Sequence, residues 1–171
     1  MGPKLYWIDA EFPGRLAITA RPRGGDWLED EAKGWRAAGI GVVVSLLTAE
    51  ENEDFDISKE TDACAQSDVR FLSFPIPDRS VPSSEDEFKK FAAEILGFLR
   101  KGQNVAIHCR QSIGRSGLLA VAVIAQGGVD PKVAMQSVSF ARGLTVPETP
   151  EQTEWLLRLC SSVNIVKDSD K

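Results

Sequence analysis

Two segments of the chain place an arginine six residues after a cysteine, a spacing that can bring a thiol and a guanidinium to one phosphate. "HCRQSIGRS" contains Cys109 and Arg115, and "CAQSDVR" contains Cys64 and Arg70. A thiolate is a strong nucleophile, and the planar guanidinium fork matches two phosphate oxygens. Because both segments share the spacing, the local structure that each sequence forms must decide between them.

The two segments differ in their surroundings. Cys64 lies in a helical pattern with no glycine after it, and Arg70 opens the next predicted strand, so the sulfur and the guanidinium would lie on different elements. We interpret this match as accidental. Cys109 instead ends the short buried run "NVAIHC", and Arg115 stands in the first turn of a helix expected to begin near Gly114.

The loop between Cys109 and the helix has to curl, which turns successive backbone N–H groups inward. Such groups form an anion-binding nest that the positive end of the helix dipole reinforces. The predicted phosphate-binding residues are Arg110, Gln111, Ser112, Ile113, Gly114 and Arg115. The helix N-terminus and the guanidinium also favour the thiolate form of Cys109, so the segment predicts a nucleophile for phosphorus.

Two polar neighbours of the cysteine each have two interpretations. Ser116 could donate its hydroxyl to the sulfur of Cys109, or it could be an ordinary first-turn cap of the helix. His108, the single histidine, could orient the loop through its ring nitrogens, or it could be a core residue with satisfied hydrogen bonds. For His108 the core interpretation is favoured over a direct catalytic role.

Transfer of a phosphoryl group to cysteine also needs an acid that protonates the departing oxygen. "FPIPDRSVPSSEDE" places Asp78 in a proline-punctuated loop after a predicted strand. An aspartate there could swing over a pocket at the carboxyl edge of the sheet, although Pro-Asp is also a common turn pair. Glu85, Asp86 and Glu87 follow as the negative first turn of a helix, and they are second choices for the acid.

"HCRQSIGRSG" resembles the signature loop of the cysteine-dependent protein tyrosine phosphatase superfamily, and the chain from "VVVSLL" to the final helix is most similar to its compact dual-specificity-like branch. The resemblance implies a nucleophile at Cys109, a phosphate-holding guanidinium at Arg115 and a general acid at Asp78 on a movable loop. Gln111 and Ser112 depart from the family pattern, in which a small residue and a glycine are usual. The loop torsions and the substrate preference therefore stay open at this point.

The resemblance extends to "TVPETPEQTEW", where it suggests that Gln152 holds the water that hydrolyses the phosphocysteine. The alternative for Gln152 is a first-turn helix residue, with Thr149 as the N-cap. Arg142, at the end of the preceding predicted helix, is interpreted as a partner of the helix dipole rather than as a ligand contact.

Strands and helices alternate along the chain, which predicts an α/β fold with a central, mostly parallel sheet flanked by helices on both faces. In the first helix, Asp26 is the expected N-cap, and Trp27, Leu28 and Trp35 form the expected inner face. Ligands of such sheets bind beyond the carboxyl ends of the strands, which is where Cys109 falls. The predicted strands are "LYWI", "LAIT", "IGVVVSLL", "VRFLSFPIP" and "NVAIHC".

The 171 residues are 43% hydrophobic and carry a net charge of −5. This length and composition predict a single globular domain over 1–166 with a polar tail at 167–171, and the resemblance implies that the domain is a phosphatase. The net charge gives no general attraction to nucleic acid or anionic membranes. Three cysteines without a regular framework favour the reducing cytoplasm, and the lack of a long apolar run predicts no membrane insertion. We also expect a monomer. We expect no cofactor and no metal.

The leading functional hypothesis is a metal-independent phosphomonoester hydrolase that acts on a phosphorylated protein, phosphotyrosine above all, or on a small phosphomonoester. A phosphatase for phosphoinositides or nucleic-acid 5′-phosphates is an alternative, for which Arg79 and Arg110 are the flanking cations in sequence. A non-catalytic phosphate-binding module is another, although cysteine, arginine and aspartate are all present. A redox thiol enzyme would need a resolving cysteine, and neither Cys64 nor Cys160 is near Cys109 in sequence.

Overall fold

The computed structural model describes residues 3–169, with side chains described through Ser161. The strands are β1 (Leu5–Ile8), β2 (Leu16–Thr19), β3 (Val42–Ser45), β4 (Arg70–Ser73) and β5 (Val105–His108). The helices are α1 (Leu28–Ala37), α2 (Ala49–Asp54), α3 (Glu60–Gln66), α4 (Glu85–Arg100), α5 (Gly114–Gln126), α6 (Pro131–Arg142) and α7 (Pro150–Ser169). A short 3-10 turn, Gly25–Trp27, precedes α1.

One sheet joins the strands in the order β1-β2-β5-β3-β4. The strands β2, β5, β3 and β4 run parallel, and β1 pairs antiparallel with β2. All four residues of β5, at the centre, are buried. Strands covered on both faces consist of nearly continuous apolar runs, as "VVVS" of β3 and "VAIH" of β5 do. The predicted central, mostly parallel sheet is confirmed.

Alternate residues of the central strands enter cores on opposite faces of the sheet. Val42, Val44 and Ile107 pack with residues of α4, α5, α6 and α7. Val43 and Ala106 pack on the other face with residues of α1 and α3. The period of two along a strand produces this division, and it confirms that helices flank both faces.

The start of the first helix differs from the prediction. Asp26 lies inside the 3-10 turn, and Trp27 rather than Asp26 is the N-cap residue of α1. Trp27 is 56% exposed and its ring lies against the guanidinium of Arg23, whereas Leu28 and Trp35 are buried as predicted. The predictions for Asp26 and Trp27 are wrong because the tighter 3-10 winding changes which residues face the core.

The C-terminal helices begin where the sequence indicates. Pro131 lies in the first turn of α6, and the Thr149 hydroxyl caps α7 by accepting a hydrogen bond from the backbone N–H of Gln152. Helix α7 continues to Ser169, so the predicted tail at 167–171 begins inside it. The last two residues of that tail lie outside the described residues.

Three segments meet at the carboxyl ends of the parallel strands. The loop 109–113 follows β5 and leads into α5, the loop 74–84 follows β4, and α2 begins shortly after β3. Because parallel strands end at the same edge of a sheet, these three segments supply the side chains of the candidate site.

Candidate active site

Cys109 directly follows β5, the central strand, and is 3% exposed. The loop after it lines a cavity of about 160 Å³ together with the loop after β4 and the segment before α7. The residues around this cavity are Asp78, Arg79, Cys109, Arg110, Gln111, Ile113, Gly114, Arg115 and Glu148. The predicted nucleophile, acid and arginine therefore reach one cavity.

The backbone of the loop after Cys109 has free donors and engaged acceptors. No described group accepts a hydrogen bond from the backbone N–H groups of 110–115. The carbonyl oxygens of Gln111 and Ser112, by contrast, both accept hydrogen bonds from Arg142. A loop whose carbonyls are held on one side and whose amides are unpaired has the electrostatics of an anion-binding nest.

Ser112 occupies the position at which the family pattern has glycine, and its backbone is left-handed with φ of 57°. Its hydroxyl donates to the carbonyl of Gln111 at 2.6 Å and accepts from Nε of Arg142 at 3.0 Å. Local side-chain hydrogen bonds of this kind let a short polar residue adopt a conformation that otherwise favours glycine.

Arg142 differs from its sequence-based interpretation. The guanidinium at the end of α6 bonds the loop through Ser112 and Gln111, and it also lies 4.5 Å from the centre of the Tyr6 ring. Arg142 therefore holds the loop 109–113 in place, and the interpretation as a helix-dipole partner alone missed this role. The signal was a non-glycine at Ser112, which calls for a neighbouring stabilising group.

Arg115, in the first turn of α5, is 1% exposed, and groups of the protein bind one side of its guanidinium. Its two terminal nitrogens bind the two carboxylate oxygens of Glu51 at 2.8 and 2.9 Å, and Nη1 also donates to the carbonyl of Ile76. Burial alone would lower the pKa of Arg115, but the hydrogen bonds to Glu51 and the charges of Cys109, Glu51 and Asp78 raise it above its usual value. Arg115 is thus a permanent, oriented cation that lines the cavity.

Glu51 is a site residue that the sequence analysis missed, because it lies on α2, a helix that was not predicted. Burial raises the pKa of Glu51, but hydrogen bonds from Arg115 and from the Thr48 backbone, with the charge of Arg115, bring it below the usual value. Thr48 and Glu51 also form a capping box at the start of α2. This Thr-x-x-Glu pattern was the available signal for the helix.

Asp78, on the loop after β4, borders the same cavity as Cys109, and its side chain is 42% exposed. One carboxylate oxygen is 3.2 Å from Nη2 of Arg115, and the other is 3.7 Å from Nη1 of Arg110. The next residue, Arg79, has φ of 59° and forms an ion pair with Glu148 at 2.9 Å. This pair joins the loop that carries Asp78 to the segment before α7.

Gln152 is completely buried beside the loop, in the first turn of α7. Its Oε1 accepts from the backbone N–H groups of Glu148 and Thr149, and its Nε2 donates to the carbonyl of Ser80. A Cβ atom on Gly114 would lie 2.9 Å from this Oε1, so a larger residue there would displace the Gln152 amide. Gln152 therefore reaches both the first residue of α5 and the loop that carries Asp78.

Ser116 and His108 have different surroundings. The Ser116 hydroxyl is buried and has no hydrogen-bond partner among the described residues, so the predicted bond to the sulfur of Cys109 is not formed in this structure. His108 is fully buried, stacks on Trp35 and binds the carboxylate of Glu60, as expected of a core histidine with satisfied hydrogen bonds. Its other ring nitrogen reaches the Cys109 carbonyl at 3.4 Å.

Residues 3–169 contain neither a candidate metal cluster nor a helix that could span a membrane. No group of three or more histidine, cysteine, aspartate or glutamate side chains in this part of the chain is arranged to hold a metal ion. None of the helices described here combines the length and the apolar character needed to cross a membrane.

Comparison with known proteins places this site in a family. Residues 19–128 match the family model described as "Tc-R-P: Polymorphic toxin system, DSP-PTPase phosphatase". Because this match covers more than half of the chain, the protein belongs to the DSP-PTPase phosphatase family, in the dual-specificity-like branch of the protein tyrosine phosphatase superfamily. The family inferred from the signature loop is confirmed.

Individual relatives agree with this assignment. "Putative tyrosine phosphatase 197R" of Invertebrate iridescent virus 6 is 31% identical over 168 residues, which are 96% of this chain and 59% of the viral protein. The chain thus spans about three fifths of the length of that relative. The crystal structure of Tk-PTP in the active form is 28% identical with a TM-score of 0.74, over 92% of this chain and 96% of that one.

A more distant structure shows the fold. Kinase associated phosphatase, crystallised with a serine in place of its catalytic-site cysteine, is 18% identical to this chain and has a TM-score of 0.84. The alignment covers 96% of this chain and 97% of that chain. The predicted phosphatase-like α/β architecture is confirmed by this similarity.

Proposed function

We propose that the protein is a metal-independent phosphomonoester hydrolase that works through a phosphocysteine intermediate, with phosphotyrosine or another phosphorylated protein side chain as the substrate. One observation carries the proposal: the sulfur of Cys109, the buried guanidinium of Arg115 and a run of backbone N–H groups without partners border one cavity. Unpaired donors around a nucleophile stabilise the charge that develops on phosphoryl oxygens in the transition state.

In the first step, the thiolate of Cys109 forms a bond to phosphorus while the bond from phosphorus to the leaving oxygen breaks. Arg115 and the loop amides hold the three non-bridging oxygens, and Asp78 gives its proton to the departing oxygen. Arg115 suits this task because Glu51 and the Ile76 carbonyl fix one side of its fork.

Substrate binding changes the partners of Asp78. The carboxylate of Asp78 and a phosphate dianion are both anions that compete for Nη2 of Arg115. When phosphate takes this donor, Asp78 is released from Arg115 and faces the leaving group from the far side of the cavity. Its half-exposed position on a loop lets it make this small movement.

In the second step, water attacks phosphorus, the bond from sulfur to phosphorus breaks, and Asp78 accepts the proton of the water. Gln152 is the candidate for positioning this water, because its amide lies against Gly114 of the phosphate loop. The hydrogen bond from Gln152 to Ser80 also holds the loop that carries Asp78. Ser116, whose buried hydroxyl is unpartnered, is the candidate donor to the leaving sulfur in this step.

A substrate with a second anionic group is the alternative that one specific observation favours. The guanidinium of Arg21 lies 3.8 Å from the centre of the Phe55 ring, and that of Arg110 lies 5.4 Å from the same centre. Arg110 lines the cavity, so this cluster extends positive charge outward from the phosphate loop. Phosphoinositides and nucleic-acid 5′-phosphates carry such a second charge, and Arg21→Gln should weaken their hydrolysis alone.

The proposed reaction needs no metal ion. Arg115 and the loop amides perform the electrophilic work, so hydrolysis of aryl phosphates should survive exhaustive chelation. Recovery of a chelated, inactive enzyme by a divalent ion would contradict this assignment.

A nucleophile that must remain a free thiol fits the reducing cytoplasm, and we propose a monomeric protein there.

The decisive experiment uses the leaving group. A tyrosyl oxygen, whose conjugate acid has a pKa of about 10, needs protonation to depart, whereas a strongly acidic phenol does not. Asp78→Ala should therefore lower kcat on phosphotyrosine by about a hundredfold or more, and much less on an activated aryl phosphate. Rates are measured across a series of aryl phosphates that differ only in leaving-group acidity.

The matched control is Asp86→Ala, which removes an aspartate of the first turn of α4. It should leave the dependence on the leaving group unchanged. An equal loss across the series in folded Asp78→Ala would make Asp78 structural, and a selective loss in Asp86→Ala would move the acid to α4.

A further inference from the structure

Two arginines leave the sheet side by side next to the phosphate loop. Thr19, the last residue of β2, is in register with His108, the last residue of β5. Arg21 and Arg110 each follow two residues after these strand ends. Because β2 and β5 are parallel neighbours, both arginines lie at the carboxyl edge of the sheet. Arg110 lines the cavity that contains Cys109, so Arg21 lies on the strand end next to the candidate active site.

One aromatic ring brings the two guanidinium groups together. The guanidinium of Arg21 lies 3.8 Å from the centre of the Phe55 ring, and that of Arg110 lies 5.4 Å from the same centre. Phe55 directly follows α2, and its half-buried side chain packs against the core between the sheet and α1. The face of an aromatic ring attracts a guanidinium, so the Phe55 ring orients both cations without neutralising their charge.

Neither of these two cations has a carboxylate at hydrogen-bond distance among the described residues. Arg21 makes one long hydrogen bond, of 3.4 Å, to the carbonyl of the next residue. Nη1 of Arg110 is 3.7 Å from Oδ2 of Asp78, which is too far for a hydrogen bond. Arg23, on the same loop as Arg21, by contrast binds the carboxylate of Glu31 at 2.7 Å.

A ligand explains this arrangement better than stability does. Two like charges against one ring repel each other, although the chain has 25 acidic residues that could supply a partner. The side chain of Arg110 is 52% exposed and Arg21 is half-buried, so an incoming group can reach both. A guanidinium with free donors binds a carboxylate or a phosphate through its planar fork. The two arginines therefore have the charge and the donors of an anion site beside the catalytic cavity.

We propose that Arg21 and Arg110, held against Phe55, form a specificity site for a second anionic group of a phosphoprotein substrate, a carboxylate or a further phosphate close to the one that is hydrolysed. This inference rests on the hydrolase activity proposed above. The net charge of −5 favours a protein substrate, because a nucleic acid or an anionic bilayer meets general repulsion, whereas a peptide needs to add only one charge.

Matched phosphotyrosine peptides measure this preference directly. A neutral peptide is compared with versions that carry one glutamate, or one phosphoserine, at each of the three positions before and after the phosphotyrosine. The wild type should hydrolyse the best acidic version with a kcat/KM about tenfold above that of the neutral peptide, mainly through a lower KM. The preference should shrink as salt is added, because exposed charges are screened.

The variants are compared by the ratio of kcat/KM for the acidic and the neutral peptide, which cancels a general loss of activity. Arg21→Gln should bring this ratio close to one, and Arg21→Lys should keep part of it, because the charge remains while the fork is lost. The matched control is Arg15→Gln. Arg15 also lies against an aromatic ring, 4.0 Å from the centre of Trp7, but it precedes β2 at the opposite edge of the sheet. Arg15→Gln should retain the wild-type ratio.

Three results would overturn the inference. The first is a wild-type ratio close to one for every peptide, which needs no variant that folds. The second is an unchanged ratio in folded Arg21→Gln. The third is a soluble inositol bisphosphate or nucleoside bisphosphate that is preferred over every peptide and loses its advantage in Arg21→Gln, because the site would then serve a substrate that is not a protein.

A binding measurement separates this inference from the proposed function. If the wild type hydrolyses no phosphomonoester, the proposed function fails, and the second site is judged by isothermal titration of the same peptides into Cys109→Ser. Tighter binding of the acidic peptides that is lost when Arg21→Gln is added supports the site. Equal binding of acidic and neutral peptides overturns it.

Discussion

Cys109 and Cys64 each precede an arginine by six residues, yet the fold brings only the Cys109 segment's cysteine and arginine to one cavity. Cys109 ends β5 at the carboxyl edge of the sheet, and Arg115 returns to it from the first turn of α5. Cys64 is fully buried within α3, and Arg70 is the first residue of β4, at the amino edge of the sheet. The guanidinium of Arg70 lies 5.2 Å from the centre of the apolar Phe98 ring.

The order of strand and helix, rather than the six-residue spacing, decides whether a cysteine lies where a thiolate is favoured. A strand followed by a helix brings the strand's last residue to the positive end of the helix dipole. A helix followed by a strand places the cysteine among apolar side chains, where burial and the charge of Glu60 raise the pKa of Cys64 to about 12. The first order favours a thiolate, and the second favours a neutral thiol.

The largest expected effect contrasts the two cysteines. Cys109→Ser should abolish turnover while phosphate binding is retained, because a hydroxyl has no comparable anion with which to attack. Cys64→Ser should keep kcat/KM within about threefold of the wild type, since its thiol makes no contact with the cavity. Steady-state rates and isothermal titration with inorganic phosphate give both values. Inactivation of a folded Cys64→Ser would show that the wrong cysteine had been chosen.

The second effect contrasts the two arginines. Arg115→Lys keeps the charge but loses the fork that binds Glu51 and phosphate, so kcat/KM should fall by about a hundredfold or more. Arg70→Lys should leave kcat/KM nearly unchanged. Comparable losses in the two variants would mean that general charge, rather than the fork at the carboxyl edge, supports the reaction.

Much of the difference between the Cys109 and Cys64 segments could be predicted from the sequence, because it depends on the order of strands, loops and helices along the chain. The glycine-punctuated turn after "NVAIHC" predicted the loop, the alternation of strands and helices predicted the sheet, and the proline-rich loop predicted the location of Asp78. The contact between Glu51 and Arg115 could not be predicted in this way. It depends on β3 and β5 being neighbours in the sheet, which no local pattern specifies.

The same limit applies to the residues that surround the phosphate loop. Ser112 and Arg142 are thirty residues apart in sequence and meet because α6 packs beside the loop. The exposure of Trp27 follows from a 3-10 turn that ordinary helical periodicity does not reveal. Long-range packing and local winding account for what the sequence analysis missed.

The third prediction concerns the hydrogen bonds between Glu51 and Arg115. Glu51→Gln should lower the free energy of unfolding at pH 7 by about 2 kcal/mol, because the charged hydrogen bonds to Arg115 are replaced by neutral ones. We expect kcat/KM to fall by about tenfold as Arg115 becomes less well oriented. Glu50→Gln, its exposed neighbour on α2, is the matched control and should change neither quantity.

The pH dependence of this stability difference has a definite sign. The pKa of Glu51 is lowered in the folded state, so its contribution is present above the unfolded value of about 4.3 and is lost as the pH falls through the folded value. Urea unfolding of the wild type and Glu51→Gln should therefore converge in acid. A difference that stays constant from pH 7 into that range would show that the charge of Glu51 does not carry the effect.

The smallest expected effect concerns the backbone of the loop 109–113, a feature that the Cys64 segment lacks because Cys64 lies within a helix. Ser112→Gly removes the hydroxyl contact with Arg142 but relieves the left-handed conformation, so these changes should nearly cancel, within about 1 kcal/mol in unfolding free energy. Arg142 keeps its bonds to the carbonyls of Ser112 and Gln111, so kcat/KM should stay within about threefold.

Ser112→Val provides the contrast, because a β-branched residue at φ of 57° is strained and cannot bond to Arg142. It should destabilise the protein by about 1–2 kcal/mol and lower kcat/KM well below that of Ser112→Gly. This order would mean that the backbone conformation of the loop keeps its amides available to phosphate and that the hydroxyl only helps serine adopt it. A large loss of kcat/KM in folded Ser112→Gly, equal to that in Ser112→Val, would instead assign the loop geometry to the hydrogen bond between Ser112 and Arg142.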